Sequence, residues 1–351
     1  MSSTSDYNRG MKSIITNNLY EVLEVNPRAR TSVIDAAWKA LMKEVHPDIP
    51  GHSMRGDTAK SLNEAKDILT DSLKRADYDK QLNSINPSAI GPYKIIKQIA
   101  EGGFGRTYLA EHKILKEQVC IKDCSNVSLG DSGMLIDECK AVWDLRHYAL
   151  PAMRDLIKMD DGRLVLIMSY IPGLTLQQIV EKTGALDSEH VCWITERILN
   201  ALTYLHRNGV IHGDLKPQNI IVQPEKHMAV IVDFGLSLVK PNSKSEAKGY
   251  TEYYAPPEEI DGKPLVPESD YYSLGMTMLF ALGGKAEYVT RKEVPDDTPD
   301  ELCEFIKRLI ARNVSGRPQY GKEDITDTFV EIRKKVFGRH RSGMKPIVGI
   351  N

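Results

Sequence analysis

The chain has 351 residues, 41% hydrophobic and 27% charged, with a formal net charge of -2. That length exceeds one small core and predicts two or more domains, and so small a net charge provides no basic field for nucleic acid or an anionic membrane. The five cysteines, an odd count without a Cys-x-x-Cys pair, argue against a disulfide framework or zinc site and fit a reducing cytosol. Residues 1–10 are polar, so no signal peptide is expected. The longest apolar run, around Leu274 to Leu282, is too short to span a bilayer.

Asn17 to Leu23 opens a short helical pattern. Thr31 or Ser32 is placed to cap a second helix, with Asp35 in its first turn, where a negative charge suits the helix dipole. Ile34, Ala37, Trp38, Leu41 and Val45 recur at three- and four-residue steps and give that helix one apolar face. Pro47 stops it and leaves His46-Pro47-Asp48 in a loop. A third helix is predicted from Thr58 to Thr70, with Leu62, Ala65, Ile68 and Leu69 inward, and a short fourth from Lys74 to Asp79. A helical hairpin with His-Pro-Asp at its tip resembles the J-domain of DnaJ-type co-chaperones. Tyr20-Glu21-Val22-Leu23 is similar to that family's opening, and Leu62 to Ala65 and Arg75 to Asp79 are similar to its third and fourth helices. The resemblance implies an all-α J-domain over residues 17–83 that docks on a DnaK-type chaperone through His46, Pro47 and Asp48 and stimulates its ATPase.

Residues 84–92 carry the breakers Asn86-Pro87 and Gly91-Pro92 and read as a linker. Tyr93 to Ile99 and Thr107 to Ala110 are predicted as paired strands around a Gly-rich turn. Gly102, Gly103 and Gly105 let backbone amides there approach phosphate oxygens without side-chain interference. The next strand, Gln118 to Lys122, ends on a lysine. Glu138 begins a helical pattern, and Leu164 to Ile167 is a buried strand leading to Met168-Ser169-Tyr170-Ile171. Trp193, Ile194, Ile198, Leu202 and Leu205 lie on core helices before the stretch His212 to Asn219. In that stretch Asp214 can accept a proton from a hydroxyl. Lys216 can neutralise charge on a moving phosphoryl group, and Asn219 can hold a metal ion. The apolar runs Ile220 to Val222 and Met228 to Val232 predict two short strands that carry Asp233 toward the same point.

The stretch around Asp214, the tripeptide Asp233-Phe234-Gly235 and the Gly-rich turn, in this order, resemble the eukaryotic-type protein kinases, in their bacterial and archaeal form. The resemblance implies a bilobal α+β kinase fold over residues 93–337, followed by a basic tail over 338–351. It implies ATP and Mg²⁺ as cofactors, with Asn219 and Asp233 on the metal. Gly102, Gly103, Gly105, Cys120, Met168, Ser169, Ile171 and Ile221 would lie around the nucleotide. Lys122 then pairs with the α- and β-phosphates and with a helical carboxylate, Glu138 or alternatively Asp137. Asp214 positions the substrate hydroxyl, and Lys216 stabilises the transferring group and points to Ser/Thr specificity. Glu258 should pair with Arg317, and Asp270 should brace the catalytic backbone. The polar segment Leu236 to Lys248 is expected to be the activation segment. Gly213 replaces the family's usual arginine, which binds a phosphate on that segment. The expectation is a cytosolic Ser/Thr kinase acting on protein, with a J-domain that recruits or stimulates a DnaK-type chaperone and no nucleic-acid or membrane partner. The alternative is a pseudokinase scaffold or co-chaperone that delivers clients.

Overall fold

The computed structural model describes residues 19–27, 29–44, 55–85, 88–102, 105–124, 136, 139–140, 142–159, 162–234, 237–239, 251, 253–338 and 347. The chain divides into two compact units, residues 1–95 and 96–351.

The first unit is built from α1 (Leu19–Val22), α2 (Thr31–Glu44), α3 (Arg55–Leu69) and α4 (Ser72–Ile85). Leu19, Tyr20, Leu23, Ile34, Leu62, Ala65, Leu69 and Tyr78 form one buried cluster, so the inward faces of α2 and α3 are those that the spacing predicts. The Arg75 to Asp79 segment is a clasp. Arg75 donates to the Tyr20 hydroxyl at 3.0 Å and to the carbonyls of Pro27 and Ala29 at 3.0 and 2.9 Å. The Tyr20 hydroxyl donates to Asp79 at 2.5 Å, and the Tyr78 hydroxyl accepts from the Leu19 amide at 2.8 Å. Two expectations are corrected here. The Arg30 carbonyl accepts the amides of Val33 and Ile34, so α2 begins at Thr31 and neither Thr31 nor Ser32 is its cap. The same early start puts Asp35 beyond the first turn. The stretch read as a linker carries some regular structure. Helix α4 reaches Ile85, and Ala89–Ile90 (β1) pairs antiparallel with Lys94 and Tyr93, because Gly91 adopts φ +51° and lets the chain turn back on itself.

The following strands are β2 (Tyr93–Gly102), β3 (Gly105–His112), β4 (Gln118–Asp123), β5 (Met153–Lys158) and β6 (Leu164–Ser169). The sheet order is β1-β2-β3-β4-β6-β5. Strand β6 is almost wholly apolar, as befits a strand between two neighbours. After it come β7 (Leu174–Thr175), α5 (Leu176–Thr183), α6 (Ser188–Arg207), β8 (Val210–Ile211), β9 (Ile220–Gln223), β10 (Met228–Ile231) and β11 (Leu238–Val239). The helices α7 (Pro257–Ile260), α8 (Pro267–Gly283), α9 (Ala286–Arg291), α10 (Asp300–Leu309) and α11 (Ile325–Phe337) complete the unit. Trp193, Ile198 and Leu202 of α6 pack in one core with Leu274 and Leu279 of α8. Gly275 is required there: a Cβ on it would lie 2.6 Å from the Ile310 side chain and 2.9 Å from Leu309. The fold is the expected one, an antiparallel sheet followed by a helical lobe. Of the expected activation segment, Leu238 and Val239 pair with Ile211 and Val210, since two apolar residues find an open strand edge there. Residues 240–250, including Ser243 and Ser245, lie outside the described residues.

Glu258 and Arg317 form the predicted buried pair. Arg317 grips both carboxylate oxygens at 2.6 and 2.7 Å and donates to the carbonyls of Glu268, Ala311 and Arg312 at 3.0, 2.9 and 3.3 Å. Removing one partner of such a pair leaves the other charged, buried and unmet. Arg317→Ala should therefore lower the unfolding free energy of the chain by roughly 3–5 kcal/mol. Urea denaturation followed by tryptophan fluorescence measures it, and a loss under about 1 kcal/mol contradicts this account.

Candidate active site

The strands β9 and β10 form a hairpin in register, Ile220 opposite Ile231 and Val222 opposite Ala229. These four side chains are buried, while Ile221, on the other face of β9, lines a cavity of about 440 Å³. Cys120 and Lys122 of β4, Met168 and Ser169 of β6, and Ile171 line the same cavity, with Asn219 and Asp233 at its polar end. Ile99, Ala100 and Thr107 border it from β2 and β3. The concavity is apolar with a few convergent polar groups, the usual make-up of a ligand site.

Lys122 pairs with Asp233 inside this cavity. Asp233 holds φ +65°, in the left-handed region that few non-glycine residues adopt and that functional sites tolerate at a cost in strain. Asn219 spends its side-chain amide hydrogens on Asp214, at 2.8 Å to the main-chain carbonyl and 3.0 Å to Oδ2. Its own side-chain oxygen is left as the atom for a cation. Asn219 and Asp233 thus supply two hard oxygen donors, which suits Mg²⁺. Among the described residues no group of three His, Cys, Asp or Glu forms a metal cage, so a cation here needs further oxygens of the kind phosphates carry. Burial pushes the Cys120 thiol up to about 12 even though Lys122 works against it, so the thiol is protonated and serves as an apolar wall.

Asp214 sits in a ring of donors. Lys216 Nζ reaches its two oxygens at 3.0 and 2.8 Å, and the Thr251 hydroxyl donates to Oδ1 at 2.8 Å. The same Lys216 ammonium donates to the Thr251 oxygen at 2.8 Å. The backbone beneath is held by Asp270, from the first turn of α8, which accepts the amides of His212 and Gly213, each at 2.9 Å, and lies 2.8 Å from His206 Nε2. Burial alone would raise the Asp270 carboxyl; the hydrogen bond to His206, the nearby His212 imidazole and the Gly213 amide outweigh it and hold it below the usual carboxylate range. The buried His212 ring accepts from the Asp214 amide on Nδ1 at 3.3 Å, which leaves Nε2–H for the Val232 carbonyl at 3.3 Å. One imidazole therefore ties the Asp214 segment to the Asp233 segment.

The structure brings Lys122, Asp214, Lys216, Asn219, Asp233, Cys120, Met168, Ser169, Ile171 and Ile221 into the cavity or against its polar end. Gly102 and Gly105 are the last residue of β2 and the first of β3. Gly103, Glu138 and Asp137 lie outside the described residues, as do His46, Pro47 and Asp48. Sequence reasoning missed the contact of Thr251 with Asp214, and no local signal discloses it. It also passed over Glu259, although the pair Glu258-Glu259 was visible. Glu259 is buried, and one of its oxygens has no hydrogen-bond partner. Burial first, then the charges of Asp214, Asp270 and Glu258, push its carboxyl up to about 8.

In the folded chain Glu259 thus keeps its proton until about pH 8, whereas an exposed glutamate loses it near 4.5. The folded state binds the extra proton in that window, so stability falls as pH rises from about 4.5 to about 8 and then levels off. Glu259→Gln mimics the neutral form. It should match the parent near pH 5 and exceed it in unfolding free energy by roughly 1–3 kcal/mol at pH 8. Paired urea titrations at the two pH values test this, and an equal gain at both contradicts it.

Residues 93–325 match the protein kinase domain family, and residues 18–79 match the DnaJ domain family. The chain is 30% identical over 254 residues to the serine/threonine-protein kinase pkn3 of Myxococcus xanthus, covering 64% of this chain and 46% of that protein. It is 27% identical over 256 residues to the serine/threonine-protein kinase AfsK of Streptomyces coelicolor, covering 68% and 32%. It is 25% identical over 262 residues to PrkC of Bacillus subtilis, covering 69% and 40%. The alignments thus span less than half of each of these relatives. The matched stretch contains the buried Asp270 brace, the Asp214 ring of donors and the Lys122–Asp233 pair, and with a DnaJ domain preceding it, the chain belongs to the protein kinase domain family.

Proposed function

We propose that the chain transfers the γ-phosphate of ATP to Ser or Thr hydroxyls of proteins, and that its J-domain recruits or stimulates a DnaK-type chaperone. The observation that carries the first part is the Asp214 carboxylate, oriented by Lys216, Thr251 and Asn219 beside a cavity that holds Lys122 and Asp233. Mg²⁺-bound ATP supplies the phosphoryl group and the charge that screens its oxygens. Lys122 contributes an ammonium for phosphate oxygens, and Asn219 and Asp233 are the residues for the cation. The substrate hydroxyl takes a place at Asp214, whose carboxylate accepts its hydrogen bond and, as the new O–P bond forms, its proton. Lys216, already bound to Asp214, stabilises charge on the transferring group. The Thr251 hydroxyl holds both side chains in register without a charge of its own. Support for the second part is the DnaJ match and the hairpin of α2 and α3, whose exposed positions on α2 include Lys39 and Lys43. No helix among the described residues is long and apolar enough to cross a membrane. An odd count of five cysteines without a Cys-x-x-Cys pair accords with a reducing compartment, and on that ground we assign the protein to the cytoplasm.

Asp214→Asn should lower phosphoryl transfer to a generic basic protein or to the chain itself by about 10²–10⁴-fold while Mg²⁺-ATP binding persists. Radiolabel transfer and nucleotide titration report the two quantities, and wild-type transfer by the variant refutes the kinase reading. His46→Gln should abolish stimulation of a DnaK-type ATPase by the full-length chain and leave radiolabel transfer intact. If the unaltered chain at saturation gives no stimulation, the J-domain is a docking module only.

A further inference from the structure

A second cavity, of about 330 Å³, opens between α7, α8 and α9. Its floor is apolar: Pro257, Tyr272, Met276 and Val289. On its rim stand Tyr253 and Ile260, 54% and 57% exposed, large apolar side chains that a folded chain usually keeps from water. Two cations complete the lining, Lys292 and Arg312, both exposed. Among the described residues no carboxylate pairs with either. The acid on the rim, Asp261, already has Lys263 at 3.0 Å. Lys292 caps α9 with φ +56°, a left-handed conformation that costs a lysine strain, and its ammonium lies 5.5 Å from the centre of the Tyr272 ring.

The groove is coupled to Asp214 through one short turn. Ala255 lines it, and the Ala255 amide donates to the Thr251 carbonyl at 3.0 Å. The hydroxyl of the same Thr251 is 2.8 Å from Asp214. A polypeptide with its hydroxyl at Asp214 reaches this groove within a few residues, at about 3.3–3.6 Å of extended chain each.

We propose that the groove is a docking subsite for the protein substrate, which takes an apolar or aromatic side chain flanked by acidic residues a few positions from the target hydroxyl. The proposal rests on the kinase reading and adds the substrate class to it. The apolar floor and the exposed Tyr253 and Ile260 receive the apolar side chain, and Lys292 and Arg312 receive the flanking carboxylates. Charge complementarity selects this occupant over a basic segment.

The test uses the full-length chain, Mg²⁺-ATP and three peptides that share one serine segment and differ in a tail placed four to eight residues from the serine: Phe-Asp-Glu, Ala-Ala-Ala or Phe-Lys-Lys. The acidic tail should raise kcat/KM about tenfold over the alanine tail through KM, the equivalent of one good contact. In the double variant Lys292→Glu, Arg312→Glu the order should invert, with Phe-Lys-Lys preferred over Phe-Asp-Glu. Fluorescence anisotropy of the labelled Phe-Asp-Glu peptide without nucleotide reads docking apart from chemistry. Equal kcat/KM for the three tails, or a preference that persists in the double variant, overturns the subsite and leaves the kinase reading standing. Tail binding without transfer to any acceptor sinks the kinase reading, and the substrate subsite with it, and leaves only a peptide-binding groove; neither binding nor transfer sinks both. A dimer in sedimentation that Ile260→Asp dissociates assigns the groove to a second copy and overturns the proposal.

Discussion

A single buried carboxylate, Asp270, holds the segment before Asp214 in place. Taking an ionised group out of water costs several kcal/mol unless its lone pairs are met. Here they are met by two backbone amides of His212 and Gly213 and by the His206 ring. The consequence runs outward from the core. His206 lies in the last turn of α6 and Asp270 in the first turn of α8, so the two long helices of the lobe and the chain before Asp214 meet at one carboxyl group. Asp214 is then placed by backbone, and only its final orientation is left to Lys216, Asn219 and Thr251.

The next residue back along α8 performs the complementary task. Ser269 donates to Glu258, and Glu258 is gripped by Arg317. Burial raises the Glu258 carboxyl, but Arg317 and Ser269 outweigh that and hold it below the usual range. Two adjacent residues of one helix thus fix the two ends of the stretch that must converge, the Asp214 segment through Asp270 and the segment after Thr251 through Glu258. Thr251 lies between these ends, and its bond to Asp214 depends on both. Glu259 shows the electrostatic cost of this arrangement. Burial first, and then the charges of Asp214, Asp270 and Glu258, make this fourth carboxyl keep its proton.

Local patterns disclosed much of this. The two apolar runs that follow Asn219 are the β9–β10 hairpin, and the three- and four-residue spacing in the first unit marks its core. What stayed hidden depends on partners far apart in the chain. No spacing rule links His206 to Asp270 or Thr251 to Asp214, because those contacts exist only after α6 and α8 have packed. The cap of α2 failed for a smaller reason: a serine or threonine near a helix start signals a cap, but the Arg30 carbonyl starts the helix earlier. The strand before Tyr93 was not legible because Gly91 signals a break, whereas at φ +51° it turns the chain so that the buried Ile90 pairs with Tyr93.

Gly213 determines what kind of control this centre accepts. It sits at φ +75° with its amide taken by Asp270, so it carries the backbone turn and nothing else. It brings no guanidinium for a phosphate to neutralise, and among the described residues Lys216 is a cation that bonds the Thr251 oxygen. That ammonium is already shared between Asp214 and the Thr251 oxygen. A phosphate on Thr251 would remove the proton that its hydroxyl donates to Asp214 and would set close to two negative charges against that carboxylate. The geometry at Thr251 thus suits a neutral hydroxyl. It accepts from a cation and donates to an anion at once, a role open to a neutral group and closed to a charged one. The segment joins Asp214 through that polarity match, and added charge at this point acts to separate them.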